Sequence, residues 1–396
     1  MPGALEGIRV LDLGTRIGAP FAATLLAELG AEVIKIEQPR RGDFMRTIPP
    51  FESGVSLWWA VEGRGKKSIT LDLSRPKGQD ILRRLADHAD VIVENFQPGT
   101  LERWNLAPDD LRSRNPRLIV SRVSVYGQDG PYRDRAGLDR NGIALGGLLH
   151  ITGYPDRPPV RPGVIVADYL TALFNTVGIL AAIVERERSG RGQGVELALY
   201  ESVLRIMEWT VAAYDRLGMV RERSGNRLPN SAPLDNYETS DGRYVCIAAA
   251  GDVLFPRLCK AMDRDDLIRD VRFATLEARA QNGDAINDIV GEWCKERALA
   301  EIERLLVEHD VPVSAVYSVD EIVADPHVLA RGAIVEVDDP VIGPIRQQAP
   351  VPRLDRTPLA VTGGAPKLGE HTDEVLSSLL GMSGDDIAAL RSEGIV

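Results

Sequence analysis

The sequence predicts an α/β protein with an open parallel sheet in its larger part and a second, smaller α/β domain. Three observations carry this. Residues 8–13 (IRVLDL), 19–29 (APFAATLLAEL) and 32–36 (EVIKI) read as strand, helix and strand within about 30 residues, which is a βαβ unit and calls for a parallel sheet. The alternation then recurs along the next hundred residues. After a stretch poor in apolar residues, a separate strand and helix pattern begins again.

Taken in order, 8–13 is a continuous apolar run suited to a buried strand, and Gly30 is a C-terminal stop for the Ala- and Leu-rich helix before it. Residues 69–73 form a short strand, and Pro76 opens a helix to about Asp87. Residues 90–96 (DVIVENF) and 117–123 (RLIVSRV) are further strands. Residues 127–163, rich in Gly, Pro, Arg and Asp, form a long loop system with one helix around Asn141 to Leu149. A long helix starts near Asp168 and ends before Gly190, 194–198 is a strand, and 199–217 is one helix. This places a large Rossmann-like domain in residues 1–218 and a linker in 219–240. Strands at 244–250 and 311–318, with helices near 252–262, 283–296, 299–309 and 319–331, make a small α/β domain in 241–330. Residues 331–396, with short strand-like runs, form a C-terminal segment returning to the large domain.

The composition sets bounds. Among 396 residues, 47 basic and 58 acidic side chains leave a net charge of −11, so an anionic ligand has to be met by local Arg and Lys, and a nucleic-acid partner is not indicated. Three cysteines outside any CxxC or Cys/His spacing indicate neither a disulfide framework nor a metal site. The N-terminus lacks a basic region followed by an apolar run, and Val164 to Val184 is interrupted by Asp168 and Asn175. The expectation is a cytoplasmic enzyme with no membrane partner.

Four features stand out as candidate sites, each beside a plainer reading. The turn Gly14 to Pro20 (GTRIGAP) lies where open α/β sheets bind ligands, and Glu37 ends the second strand as in dinucleotide-binding units. It is not GxGxxG, and any βαβ unit needs a small-residue turn there. Asn95 and Phe96 leave a strand end where they can hydrogen-bond and stack on a purine, or merely form a turn and a core aromatic. Arg40, Arg41 and Arg46, with Arg64, Lys66 and Lys67, form two basic clusters suited to phosphates or to a solvated surface. Asp168 sits where a helix begins. It is either an N-cap or a carboxylate kept ionised by the helix end and available as nucleophile or base.

Together these segments resemble the family III CoA-transferases, the group that includes the formyl-CoA:oxalate, carnitine and bile-acid CoA-transferases. The resemblance runs from LxGIRVLDL (Leu5 to Leu13) through LGAEVIKIEQP (Leu29 to Pro39), GDFMR (Gly42 to Arg46) and KKSITLDL (Lys66 to Leu73). It continues through ADVIVENFQPG (Ala89 to Gly99), NPRLIV (Asn115 to Val120), YGQDGPYRDRAGLD (Tyr126 to Asp139), Val166 to Gln193 and LGEHTDEVL (Leu368 to Leu376). It implies that Asp168 is the catalytic carboxylate, forming aspartyl anhydrides and an aspartyl-CoA thioester. Coenzyme A and acyl-CoA are then substrates, no cofactor is permanently bound, and the partner is a small carboxylic acid. An interlocked homodimer is implied as well.

The resemblance also implies CoA-binding positions: Arg16, Ile17, Gly18 and Ala19 in the first turn, Leu71 and Leu73 along the adenine, Asn95 and Phe96, Arg103 as a phosphate contact, and Arg40 near a site where relatives place a basic residue, although Gln38 is the aligned position. Two departures matter. Ile17 replaces the glutamine of the formyl-CoA:oxalate enzymes, which argues against oxalate, and the glycine-rich lid of those enzymes has no counterpart in 219–240. Arg16 points to a di- or hydroxycarboxylate acceptor. The acyl-CoA racemases of the same superfamily use a His where this chain has Leu138, and leucine accepts no proton. A dinucleotide-dependent oxidoreductase is the alternative from another class, disfavoured by the missing GxGxxG, and a non-catalytic CoA-binding scaffold is disfavoured by the presence of Asp168.

Overall fold

The computed structural model describes residues 3–396. By contacts the chain divides into two compact units: the larger holds residues up to Leu148, Pro162–Ala212 and Leu329–Val396, the smaller Leu149–Arg161 and Ala213–Val328.

The larger unit is built on six strands: β1 (Arg9–Asp12), β2 (Glu32–Glu37), β3 (Lys67–Thr70), β4 (Val91–Glu94), β5 (Ile119–Ser124) and β6 (Gly194–Ala198). Their order is β3-β2-β1-β4-β5-β6 and every neighbouring pair is parallel. Val10, Leu11, Ile34, Ile69, Ile92 and Ile119 are fully buried, as expected for strands covered on both faces. The chain moves outward in one direction from β1 to β3 and in the other from β4 to β6. The carboxyl ends of β1 and β4 therefore flank the switch point where such sheets leave a crevice.

Two helices frame that crevice. Helix α1 (Pro20–Glu28) opens on Pro20, and its buried alanines allow close packing against the sheet. Helix α2 (Val166–Ser189) is 24 residues long and ends on Gly190 in the left-handed conformation. By length and composition α2 could cross a membrane. In this fold one face of it packs into the core. Ala167, Thr171, Ala172, Asn175 and Ile179 face inward, Ser121 Oγ lies 2.5 Å from Asn175 Oδ1, and the buried Arg186 guanidinium donates to Asp90 at 2.8 Å.

The last residues brace the strand ends. Val375, Leu376, Ile387, Leu390 and Ile395 join the core formed by Leu11, Ile34 and Ile69. The Asp72 amide donates to the Ile395 carbonyl at 2.8 Å, fixing the chain just beyond β3.

In the smaller unit, β7 (Leu234–Glu238), β8 (Tyr244–Ala248) and β9 (Val313–Ala315) form an antiparallel sheet in the order β9-β8-β7. Helices Gly283–Lys295 and Leu299–Glu308 cover it through Val290, Ile302 and Leu306. Strand β7 lies inside the stretch 219–240 expected as a linker. The reason is local: Tyr237 is buried, and Asn287 Oδ1 accepts from both the Tyr237 hydroxyl at 2.6 Å and the Leu234 amide at 3.1 Å.

Two other expectations change. The single helix over 199–217 is two, Leu199–Arg205 and Thr210–Leu217, because Glu208 takes a φ of +52° that a right-handed helix does not continue through. The strand-like tail resolves into a hairpin of Ile334–Asp339 and Gly343–Gln348.

Candidate active site

The turn after β1 is the floor of the crevice, and a buried ionic cluster holds it. Asp12, at the end of β1, accepts from the Gly14 amide at 3.0 Å and from Lys66 Nζ at 2.9 Å. Lys35 of β2 donates to the Gly14 carbonyl and pairs with Asp43 at 3.0 Å. Asp43 Oδ1 in turn accepts from the Thr15 hydroxyl, the Arg16 amide and the Met45 amide at 2.8–3.2 Å. Asn95, just past β4, clamps the same turn with both ends of its amide: Oδ1 accepts from the Thr15 N–H at 2.8 Å, and Nδ2 donates to the Thr15 carbonyl at 2.7 Å.

These bonds pin Arg16 at a φ of +66° with its guanidinium 3.9 Å above the Phe44 ring. Burial works against the Lys35 charge, but Asp12, Asp43 and Glu37 outweigh it and raise its pKa above the ordinary lysine range. Burial alone would raise the Asp43 carboxyl, whereas Lys35 and the amide donors bring it below its ordinary value.

Asp168 meets the turn from α2. Its carboxylate lies against Gly18, whose N–H favours the charged form. Gly18 is required by this approach, because a Cβ there would stand 2.9 Å from Asp168 Oδ1. Asp168 is not the N-cap. The cap position is Ile165, which has no polar side chain to offer, and Asp168 is the third residue of the helix proper. Asp139 serves as the cap, accepting from the Ala167 N–H at 2.8 Å and the Asp168 N–H at 3.3 Å.

The electrostatics differ accordingly from the expectation of a carboxylate kept ionised by a free helix end. Burial, and then the negative charge of Asp139, push the Asp168 pKa up to about 7, against the opposing pull of Arg16 and the Gly18 N–H.

Two cavities open over this floor. One of about 280 Å³ is lined by Asp168, Asp139, Leu138, Arg16, Arg133 and Arg135 among others. The other, of about 320 Å³, is lined by Leu13, Leu71, Leu73, Gln38, Ser74 and Trp104 among others. Thr15 and Phe96 line both, so one groove runs from an apolar chamber past β3 to the Asp168 carboxylate. Phe96 meets Trp104 edge-on at 5.2 Å.

The structure thus gathers Asp168, Arg16, Leu71, Leu73, Asn95 and Phe96 around one groove, with Gly18 buried against Asp168 and lining neither cavity. It leaves out four candidates. Ile17 and Ala19 are buried and line neither cavity, the Ile17 side chain packing with Met45, Trp59 and Ala365. Arg40 and Arg103 are exposed and line neither cavity, Arg103 donating to the Thr100 hydroxyl.

The remaining basic clusters are structural. Arg46 forks onto Glu37 and stacks 3.7 Å over Trp59, Arg64 pairs with Glu28, Lys66 with Asp12, and Lys67 with Glu32 and Glu374. Sequence reasoning missed Asp139, Lys35, Asp43 and Trp104. Asp139 stands next to Leu138 in a motif already noted, and Asp43 opens GDFMR, but neither local pattern names its partner. Among the described residues no group of three or more His, Cys, Asp or Glu is placed to hold a metal ion.

The groove lies at the switch point of a parallel sheet, with an aspartate at its inner end and, at the other, a chamber lined by Leu71, Leu73, Phe96 and Trp104 beside charged groups such as Glu37 and Asp72. Residues 5–372 match the model of CoA-transferase family III. The chain belongs to that family. It is an enzyme of CoA transfer, with acyl-CoA as substrate.

Among curated relatives, succinyl-CoA–D-citramalate CoA-transferase of Chloroflexus aurantiacus is 44% identical over 396 residues, covering 100% of this chain and 98% of the relative. The beta subunit of succinyl-CoA–L-malate CoA-transferase from the same organism is 42% identical, covering 99% and 98%. Human succinyl-CoA:glutarate CoA-transferase is 33% identical, covering 99% and 90%. Among solved structures, a CAIB/BAIF family protein from Brucella suis superposes with a TM-score of 0.85 at 32% identity, covering 96% of this chain and 100% of that one.

Proposed function

We propose that this CoA-transferase uses Asp168 as its nucleophile and moves CoA from succinyl-CoA to a second dicarboxylic acid. The observation that carries the reading is the Asp168 carboxylate, held against the Gly18 N–H at the inner end of the groove.

The steps follow from that placement. Ionised Asp168 attacks the thioester carbonyl, the C–S bond breaks, and CoA thiolate leaves a mixed anhydride between the donor acyl group and the aspartyl side chain. The thiolate attacks the aspartyl carbonyl and expels the donor carboxylate, giving an aspartyl-CoA thioester. The acceptor carboxylate attacks that thioester, releasing thiolate and forming a second anhydride. Thiolate then attacks the acceptor acyl carbon and restores the Asp168 carboxylate. The Gly18 N–H is placed to stabilise the oxyanion that forms on the aspartyl carbonyl.

The apolar chamber bounded by Leu71, Leu73, Phe96 and Trp104 suits the adenine, and Thr15 and Asn95 line the passage for the pantetheine arm. Gln38 and Ser74 on the rim supply polar contacts there. The dicarboxylate preference is supported by the three relatives above and by Arg16, Arg133 and Arg135 lining the reaction chamber, where they can pair with a distal carboxylate.

A racemase reading has less support. Leu138 lines the chamber beside Asp168, so the second base that α-proton transfer requires is lacking at that position.

The reading extends to organisation. The larger unit, with the returning C-terminal segment, carries CoA and the nucleophile, the smaller unit, which includes β7, is the second domain, and the enzyme acts in the cytoplasm as an interlocked homodimer. Leu173, Val177 and Val184, exposed on the outer face of α2, support burial against a second copy. Sedimentation at twice the chain mass is expected, and a monomer at assay concentration excludes the dimer.

The functional test presents succinyl-CoA with citramalate, malate, glutarate and monocarboxylates, and reads new acyl-CoA masses. Dicarboxylyl-CoA products that vanish in Asp168→Ala are expected. Exchange that persists in a folded Asp168→Ala protein defeats the mechanism.

A further inference from the structure

We infer that Asp139 is the positioning residue of the Asp168 nucleophile: it holds the Ala167 and Asp168 N–H groups that begin helix α2 and so fixes the backbone from which the Asp168 carboxylate reaches Gly18 and the incoming thioester. The inference rests on the reading of Asp168 as nucleophile and extends it to a residue that touches no reacting atom.

A helix begins with N–H groups that have no partner within the helix. A polar side chain at the N-cap ordinarily takes the N–H of the second or third helical residue. An acidic third residue commonly folds back to the cap, closing a box that uses its carboxylate up. In α2 the cap is Ile165, the second residue is Ala167 and the third is Asp168.

Asp139, 28 residues earlier, supplies the missing cap from another element. It is the first residue of the short helix Asp139–Leu145, whose start is fixed by Asn141 Oδ1 accepting from the Leu138 N–H at 2.9 Å. Both bonds hold the backbone of Ala167 and Asp168 at the helix start, the second through the N–H of the nucleophile itself. Its carboxylate lies against Gly18 across the crevice.

The same contact places a negative charge behind the nucleophile. The charged groups facing Asp168 are Asp139 from the short helix and Arg16 from the first turn, with Arg133 and Arg135 from the loop after β5 lining the same chamber. Burial and Asp139 together raise the basicity of Asp168 above that of an ordinary carboxylic acid.

That difference acts on the first anhydride. When thiolate attacks the aspartyl carbonyl it expels the donor carboxylate, and when it attacks the donor acyl carbonyl it expels Asp168. The less basic carboxylate leaves faster. A basic Asp168 therefore sends the anhydride forward to aspartyl-CoA, and Asp139 contributes to that direction of breakdown.

The test uses the full-length enzyme and succinyl-CoA without acceptor, with intact-protein mass measured after rapid quenching from pH 5 to 9. Wild type accumulates an enzyme–CoA adduct. Asp139→Asn keeps the acceptor oxygen and drops the charge. Its adduct formation is expected to have a pH midpoint about one unit lower, as removal of a nearby like charge requires. Asp139→Ala removes the acceptor as well, and kcat is expected to fall about 10- to 100-fold at nearly unchanged KM for succinyl-CoA. Asp139→Glu is expected to recover part of that loss.

An Asp139→Asn enzyme with the wild-type midpoint, or an Asp139→Ala enzyme with the wild-type kcat, overturns the inference while leaving Asp168 as nucleophile. Absence of any adduct in wild type overturns the nucleophile reading itself.

Discussion

A methyl group on Gly18 would stand 2.9 Å from Asp168 Oδ1, closer than a real Cβ tolerates. The turn after β1 and the first turn of α2 therefore meet at a contact only glycine permits, and that contact brings the Gly18 N–H to bear on the carboxylate. The replacement Gly18→Ala is expected to push Asp168 off its donor and lower kcat about 100-fold, the usual cost of displacing a reacting group by an ångström or losing an oxyanion donor. The thermal midpoint is expected to change little, because the displaced carboxylate has the reaction chamber it lines to move into. Steady-state kinetics beside a melting curve check both halves.

Asp168 also predicts a pH dependence in two opposite senses. Burial and Asp139 raise its pKa to about 7, and only the ionised form attacks. Exchange is expected to rise with pH through about 7 and level off above it. Stability runs the other way. The folded state holds this proton more tightly than the unfolded chain, whose carboxyl titrates near 3.8, so the contribution is full below pH 3.8 and is lost as pH rises through 7. Asp168→Asn is therefore expected to melt higher than wild type at pH 8, with the gap shrinking toward pH 4. An equal gap at both pH values contradicts the assigned shift.

The elements that sequence patterning revealed are those whose signal is local. The run IRVLDL, the Ala-rich helix behind Pro20 and the EVIKI strand each carry their own period, and together they imply the parallel sheet. Strand β7 was hidden because Leu234 and Tyr237 are its only large apolar residues, and its register comes from Asn287 and from pairing with β8. The site divides the same way. Asp168 and the Gly14–Pro20 turn are visible as a carboxylate at a helix start and a small-residue turn at a strand end. The cap from Asp139 is invisible, since nothing in a one-dimensional pattern says that a side chain 28 residues before Ala167 takes the role the Ile165 cap cannot fill. The basic clusters misled for a related reason: a charge run shows its own sign but not the carboxylates that Lys66 and Arg64 meet on folding.

Lys35 provides the sharpest test of that buried cluster. It is fully buried, pairs with Asp43, and donates to the Gly14 carbonyl. Replacing it with methionine leaves the buried Asp43 without its ion-pair partner, while Asp12 keeps Lys66. Breaking a buried pair from one side costs about 3–5 kcal/mol, whereas removing both partners together is much milder. Lys35→Met is expected to lose stability of that order in urea unfolding, and Lys35→Met with Asp43→Leu to recover a sizeable part. Because Asp43 also holds the Arg16 amide, both variants are expected to lose activity even where they fold.

Arg16 tests the substrate class independently of the chemistry. Its guanidinium stacks on Phe44, and its backbone, not its side chain, is what Asp43 holds. Arg16→Gln leaves that amide bond in place and removes the charge from the reaction chamber. If the guanidinium pairs with the distal carboxylate of a dicarboxylic acyl group, its loss removes a charge-assisted contact of about 1.5–3 kcal/mol, roughly 10- to 100-fold in kcat/KM. That loss is expected for succinyl-CoA and not for butyryl-CoA, the uncharged acyl chain of the same length. Arg16 also opposes the upward shift at Asp168, so the variant is expected to move the pH midpoint higher with either donor. Measuring kcat/KM for both thioesters across pH separates the two effects. An equal loss for succinyl-CoA and butyryl-CoA at the pH plateau assigns Arg16 to the nucleophile alone and removes it from substrate selection.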